Sequence, residues 1–102
     1  MPQVIPSPSA EADLRGIWHD IAWDNPAAAS RVLKAIGARI HQLADNPRLG
    51  PKRTDLLPRA RVLVEGPYLI LYEIHPDTVD SAVDVVEIVR IVDSRRDLSK
   101  PF

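Results

Sequence analysis

Cysteine is missing from the 102 residues. Disulfides and thiolate chemistry are therefore excluded, and the fold must be held by packing. No apolar run approaches the roughly 20 residues of a membrane-spanning helix. The start, Met1-Pro2-Gln3-Val4, has neither the basic region nor the hydrophobic segment of a signal peptide. A cytoplasmic protein without membrane association is expected. Repeats and low-complexity segments are also lacking. The three histidines, His19, His41 and His75, are too widely separated to suggest a metal set. Gly66-Pro67 is a turn and not a phosphate-cradling glycine loop. No metal and no cofactor is expected.

What the chain does have suits one globular domain, 1–102, with 45% hydrophobic residues set against 26% charged ones. A net charge of −1 gives no reason to expect direct nucleic-acid binding by the chain alone. The charges are nevertheless segregated. Residues 48–61 set Arg48, Lys52, Arg53, Arg59 and Arg61 against Asp55 alone, a net +4. Residues 62–93 hold seven acids against Arg90, a net −6, and residues 94–102 return to +2. If the fold gathers the two basic stretches, they form a positive patch despite the neutral total.

Val4-Ile5 between two prolines suits a short edge strand. Ser7-Pro8 and Asn25-Pro26 each read as an N-cap followed by proline at the first helical position. After the first, Leu14, Ile17, Trp18, Ile21 and Ala22 mark one face of a helix that stops near Trp23 or Asp24. After the second, Ala29, Val32, Leu33, Ile36, Ile40, Leu43 and Ala44 do the same. Asn46-Pro47 through Pro51 breaks the helical pattern. Arg61–Glu65 and Tyr68–Ile74 then read as strands around a Gly66-Pro67 turn, the second apolar on both faces. Val83–Val92 is a last strand whose imperfect alternation at Val85-Val86 and Ile88-Val89 suggests a bulge or two-sided burial. The order β-α-α-β-β-β, a helical hairpin on a small, mainly antiparallel sheet, is α+β. Gly16 and Gly37, costly within helices, suggest a close helix crossing.

Four stretches in this order, "AEADLRGIWHDIAWDNPAAASRVLKAI", "LADNPRLGPKRTDL", "ARVLVEGPYLILYEI" and "VEIVRIVDSRRDL", resemble the RelE/ParE superfamily, small toxins of bacterial type II toxin–antitoxin systems. The Asn25-Pro26 junction and closing Arg96-Asp97-Leu98 are more similar to the ParE branch. The resemblance implies a toxin that inhibits DNA gyrase and a cognate antitoxin that folds on binding it. The RelE branch would instead imply an endonuclease cleaving mRNA on the ribosome. A degenerate, inactive copy is a third reading.

Cleavage at an RNA 2′-hydroxyl requires a base, an acid and cations for the developing charge. Arg59, Arg61, Arg95 and Arg96 are the candidate cations, and Arg61 and Arg96 the candidate catalytic pair for a nuclease. Many relatives place His-Gly before the Arg-Asp, where this chain has Asp93-Ser94, so that histidine is lacking. Glu65 and Glu73 near the Gly66-Pro67 turn are the remaining carboxylate candidates. An apolar strand followed by Arg95-Arg96 points to a binding surface on a rigid element. The target-contacting set is therefore Arg61, Arg95, Arg96, Lys100 and Phe102. Trp18, Trp23, Tyr68 and Tyr72 are the candidate antitoxin contacts, with Trp18 also on the core stripe, Trp23 off its centre, and Tyr68 and Tyr72 on one face of the central strand where they are core or antitoxin-facing.

Overall fold

The computed structural model describes residues 1–96 together with Leu98 and Ser99. Lys100 and Phe102, both expected at the target surface, lie outside the described residues. The elements are β1 (Gln3–Pro6), α1 (Pro8–Ala22), α2 (Pro26–Asp45), β2 (Arg61–Glu65), β3 (Tyr68–His75) and β4 (Val85–Asp93). They form an α+β fold with one four-stranded sheet in the order β1-β4-β3-β2. β1 runs parallel to β4 and the other pairs are antiparallel.

Both helices begin at the expected caps. The Ser7 hydroxyl accepts from the Ala10 N–H at 3.0 Å, and the Asn25 side chain accepts from the Ala28 N–H at 3.0 Å. Each cap satisfies a donor that a helix start leaves unpaired. Ser7 has a second task. Tyr72 pairs with Ile88 while its neighbour Leu71 pairs with Arg90, so Val89 is the extra residue of a β-bulge. The Ser7 hydroxyl donates to the Val89 carbonyl at 2.8 Å, and one side chain thereby ties the start of α1 to the irregular point of β4.

Past the end of β1, α1 lies over the exposed edge of β4. Asp13 accepts the Ile91 N–H at 2.8 Å and takes the Arg90 guanidinium at 2.7 and 3.0 Å. A carboxylate thus stands in for the missing strand partner. The ion pair raises the Arg90 pKa, chiefly through the Asp13 hydrogen bond.

β3 is buried on both faces. Tyr68, Ile70, Tyr72 and Ile74 meet Ile36 and Leu43 of α2 and Ala10 of α1 in one core. Leu69 and Leu71 join Ala60, Val62 and Val92 in a second, over which Leu56, Leu57 and Leu98 pack. The two basic stretches therefore reach the same sheet face, each pinned by leucine.

The helical glycines and Gly50 behave oppositely. A Cβ at Gly16 or Gly37 would meet nothing within 4 Å, so the expected close helix crossing at these positions is not what they provide. A Cβ at Gly50 would lie 2.2 Å from the Val62 carbonyl oxygen and 2.8 Å from its carbon, which the strand cannot yield. Gly37→Ala is expected to raise the melting temperature by a few degrees, from about 1 kcal/mol of helix propensity. Gly50→Ala is expected to lower it, and differential scanning calorimetry on both variants checks the pair.

Candidate functional site

On the sheet face away from the helices, β3 continues past Leu71 with Glu73 and His75, and β4 sets Glu87 directly opposite Glu73. His75 Nε2 lies 3.7 Å from Glu73 Oε1 and 3.5 Å from Glu87 Oε1. Beside them a cavity of about 300 Å³ is lined by Lys52, Thr54, Pro58, Arg59, Glu73, Ile74, His75 and Asp77. Arg59 Nε approaches Glu73 to 3.9 Å, with its side chain 82% exposed. Proton-transfer groups and cations are thus side by side, the ingredients of general acid–base chemistry on a phosphodiester.

Sequence reasoning missed this grouping because it compared the histidines only with one another. The legible signal was Glu-x-His in a strand, where alternate residues share a face. Glu73, a carboxylate candidate expected near the Gly66-Pro67 turn, sits well inside β3 with its side chain 18% exposed.

Arg61, expected at the target surface, is engaged within the fold. Its side chain is only 11% exposed. It donates to both carboxylate oxygens of Asp77 at 3.1 and 3.2 Å and to the Gly50 carbonyl at 3.0 Å. With its fork filled by protein acceptors, Arg61 joins the connection after α2 to the loop after β3. The Asp77 carboxyl is held below its ordinary value, first by the Arg61 hydrogen bond, against an opposing effect of burial. Arg48 donates to the Thr78 and Ser81 carbonyls, and Arg53 pairs with Asp55. The +4 stretch is therefore largely occupied by internal acceptors, and no continuous positive patch follows from its composition.

The tail is different. Arg95 is 72% exposed and its guanidinium pairs with Asp93. The Asp93 carboxyl is lowered to about 2 by that side-chain hydrogen bond and then by the Arg95 N–H. The Ser94 N–H donates to the Pro67 carbonyl at 2.7 Å, and the Arg96 N–H to the Asp93 carbonyl at 3.1 Å. Arg95 and the exposed Arg96 thus leave the end of β4 on a turn anchored to the β2–β3 connection. Asp93 aims Arg95.

The four aromatic candidates are not gathered in one place. Trp23 is 91% exposed at the tip of the helical hairpin, and Trp18, expected on the core stripe, is 36% exposed. Tyr68 lines a shallow groove of about 210 Å³ between α2 and the β2–β3 turn, with Val32, Ala35 and Pro67. Tyr72, expected in the core or facing the antitoxin, lies in the core. It is fully buried, accepting the Gly50 N–H at 2.8 Å and donating to the Pro47 carbonyl at 2.9 Å. Burial pushes its hydroxyl pKa up. Among the described residues, no helix is long and apolar enough to cross a membrane.

Residues 4–98 match the family model described as the ParE toxin of the type II toxin–antitoxin system parDE. The chain is 34% identical over 100 residues to "Toxin ParE3" of Caulobacter vibrioides (strain ATCC 19089 / CIP 103742 / CB 15), covering 97% of this chain and 93% of that one. Its fold is similar to that of the chromosomal ParDE TA system from P. aeruginosa, with a TM-score of 0.70 at 21% identity. That alignment covers 91% of this chain and 96% of the other.

Tyr72→Phe removes the acceptor of the Gly50 N–H and the donor to Pro47, and is expected to cost about 1–3 kcal/mol in a urea titration. The Arg61–Asp77 pair sets an acid limb. Because the folded-state pKa of Asp77 is lowered, its contribution is complete above the ordinary carboxylate value of about 4 and is lost as pH falls through the lower folded value. The loss of stability below about pH 4 should be shallower in Asp77→Asn than in the parent, with urea midpoints measured across that range.

Proposed function

Because this chain belongs to the ParE toxin family of type II toxin–antitoxin systems, we propose that it arrests growth by binding and inhibiting DNA gyrase. A cognate antitoxin neutralises it by folding onto its surface, commonly as an amphipathic helix. The observation that carries the gyrase reading is the Arg95-Arg96 pair, exposed on a turn that Asp93 and Pro67 anchor to the sheet. A cationic pair on a rigid strand end suits recognition of an acidic or phosphate-bearing surface. Arg61, filled by Asp77 and Gly50, takes no part.

The test is supercoiling of relaxed plasmid by gyrase, with trapped cleavage complexes scored on the same gel. Arg95→Ala/Arg96→Ala is expected to weaken inhibition at least about tenfold, since charge-assisted hydrogen bonds are worth about 1.5–3 kcal/mol each. Circular dichroism should be unchanged. Undiminished inhibition by this variant would overturn the assignment. Removing residues 100–102 separates the end of the tail from the core, because Leu98, which packs under the sheet, is retained.

A second reading rests on the Glu73–His75 pair beside Lys52 and Arg59. If gyrase is untouched by protein that still arrests growth, these residues support RNA cleavage on the ribosome. His75→Ala would then abolish the cleavage products while leaving antitoxin binding intact.

For the antitoxin, the exposed Trp23 is the proposed anchor, with Trp18 and Tyr68 adding contact area. Trp23→Ala is expected to weaken toxin–antitoxin affinity about 30-fold, the scale of a hot-spot residue, as measured by calorimetry with the co-expressed partner.

A further inference from the structure

We propose that Glu73, His75 and Glu87 form a binding site for a divalent first-row transition-metal ion, with zinc the best chemical match. The inference is independent of the gyrase assignment, because it concerns the opposite sheet face from the helices and a different set of residues from Arg95 and Arg96.

Three potential donors, one imidazole nitrogen and two carboxylate oxygens, lie within 4.8 Å of one another. Zinc binds such donors at about 2.0–2.2 Å, so two ligands of a tetrahedral ion stand roughly 3.3 Å apart. The distances from His75 Nε2 to the two carboxylates, 3.5 and 3.7 Å, need only small side-chain adjustments to meet that requirement. The mixed nitrogen and oxygen set favours zinc, nickel or copper over magnesium or calcium, which prefer oxygen donors.

The backbone register supplies a second argument. Glu73 and Glu87 are cross-strand partners, and like charges directly opposite one another destabilise a sheet. A cation between them reverses that cost. Arg59 is a poor occupant, reaching Glu73 only at 3.9 Å with its side chain mostly in solvent. The donors sit on paired strands in the interior of the sheet order, which holds a metal set more precisely than a loop would. The adjoining cavity of about 300 Å³ gives water access to a fourth position, the arrangement of an open site.

The test is isothermal titration of the full-length chain with zinc chloride, paralleled by cobalt(II) absorption to report coordination. One equivalent should bind with micromolar affinity and raise the melting temperature. His75→Ala and Glu87→Gln should each weaken binding at least about tenfold, the scale on which ligand-shell changes act. His41→Ala, on the exposed face of α2, should bind as the parent does. Absence of saturable binding up to about 1 mM zinc, the weak end of the affinity scale, would overturn the proposal. So would unchanged affinity in His75→Ala. Should the variants fail to fold, NMR of the parent decides: the His75 ring resonances must shift on zinc addition, and their indifference would equally refute the site.

Discussion

Burial of β3 on both faces is the constraint from which the rest of this structure follows. From Tyr68 to Tyr72 the strand is apolar on both sides, and neither side can be left to water, because each exposed Leu or Ile forfeits about 1.5–3 kcal/mol. The helical hairpin covers Tyr68, Ile70, Tyr72 and Ile74. Among the described residues no helix packs on the opposite face, which is covered by Leu56, Leu57 and Leu98 from irregular segments. Those segments are the two basic stretches of the sequence. Their placement is thus a consequence of what the central strand has to bury.

The connections are held by polar contacts at points where regular pairing ends. Tyr72 reaches from the central strand to the segment leaving α2 with its hydroxyl, meeting both Pro47 and Gly50. Arg61 reinforces the same corner by joining the Gly50 carbonyl to Asp77. At the other end, Ser7 and Asp13 satisfy β4 where β1 stops and the bulge begins. These groups are paired rather than merely buried, as the cost of an unsatisfied polar atom demands.

This division of labour separates the arginines by role. Arg61 and Arg90 are consumed by Asp77 and Asp13 inside the fold, whereas Arg95 and Arg96 stand on an exposed turn. Net charge conceals the difference. Among the described residues, Asp93 orients Arg95 and leaves its side chain mostly in solvent.

The sequence by itself determined the element order, both helix caps and the irregularity of the last strand. Each depends on local chemistry: proline and a short polar side chain at a helix start, apolar periodicity along it, and broken alternation in β4. It also carried the family, through four stretches in a characteristic order. The tertiary structure alone decided which charged groups face one another. Asp77 lies 16 residues from Arg61 and Asp13 lies 77 from Arg90, separations over which no local pattern operates. The same reason explains why the Tyr72 hydroxyl meets Pro47 and Gly50, why Gly50 rather than Gly37 is sterically locked, and why Glu87 joins Glu73 and His75. Cross-strand register brings those last three together, and register is set by the packing of whole faces.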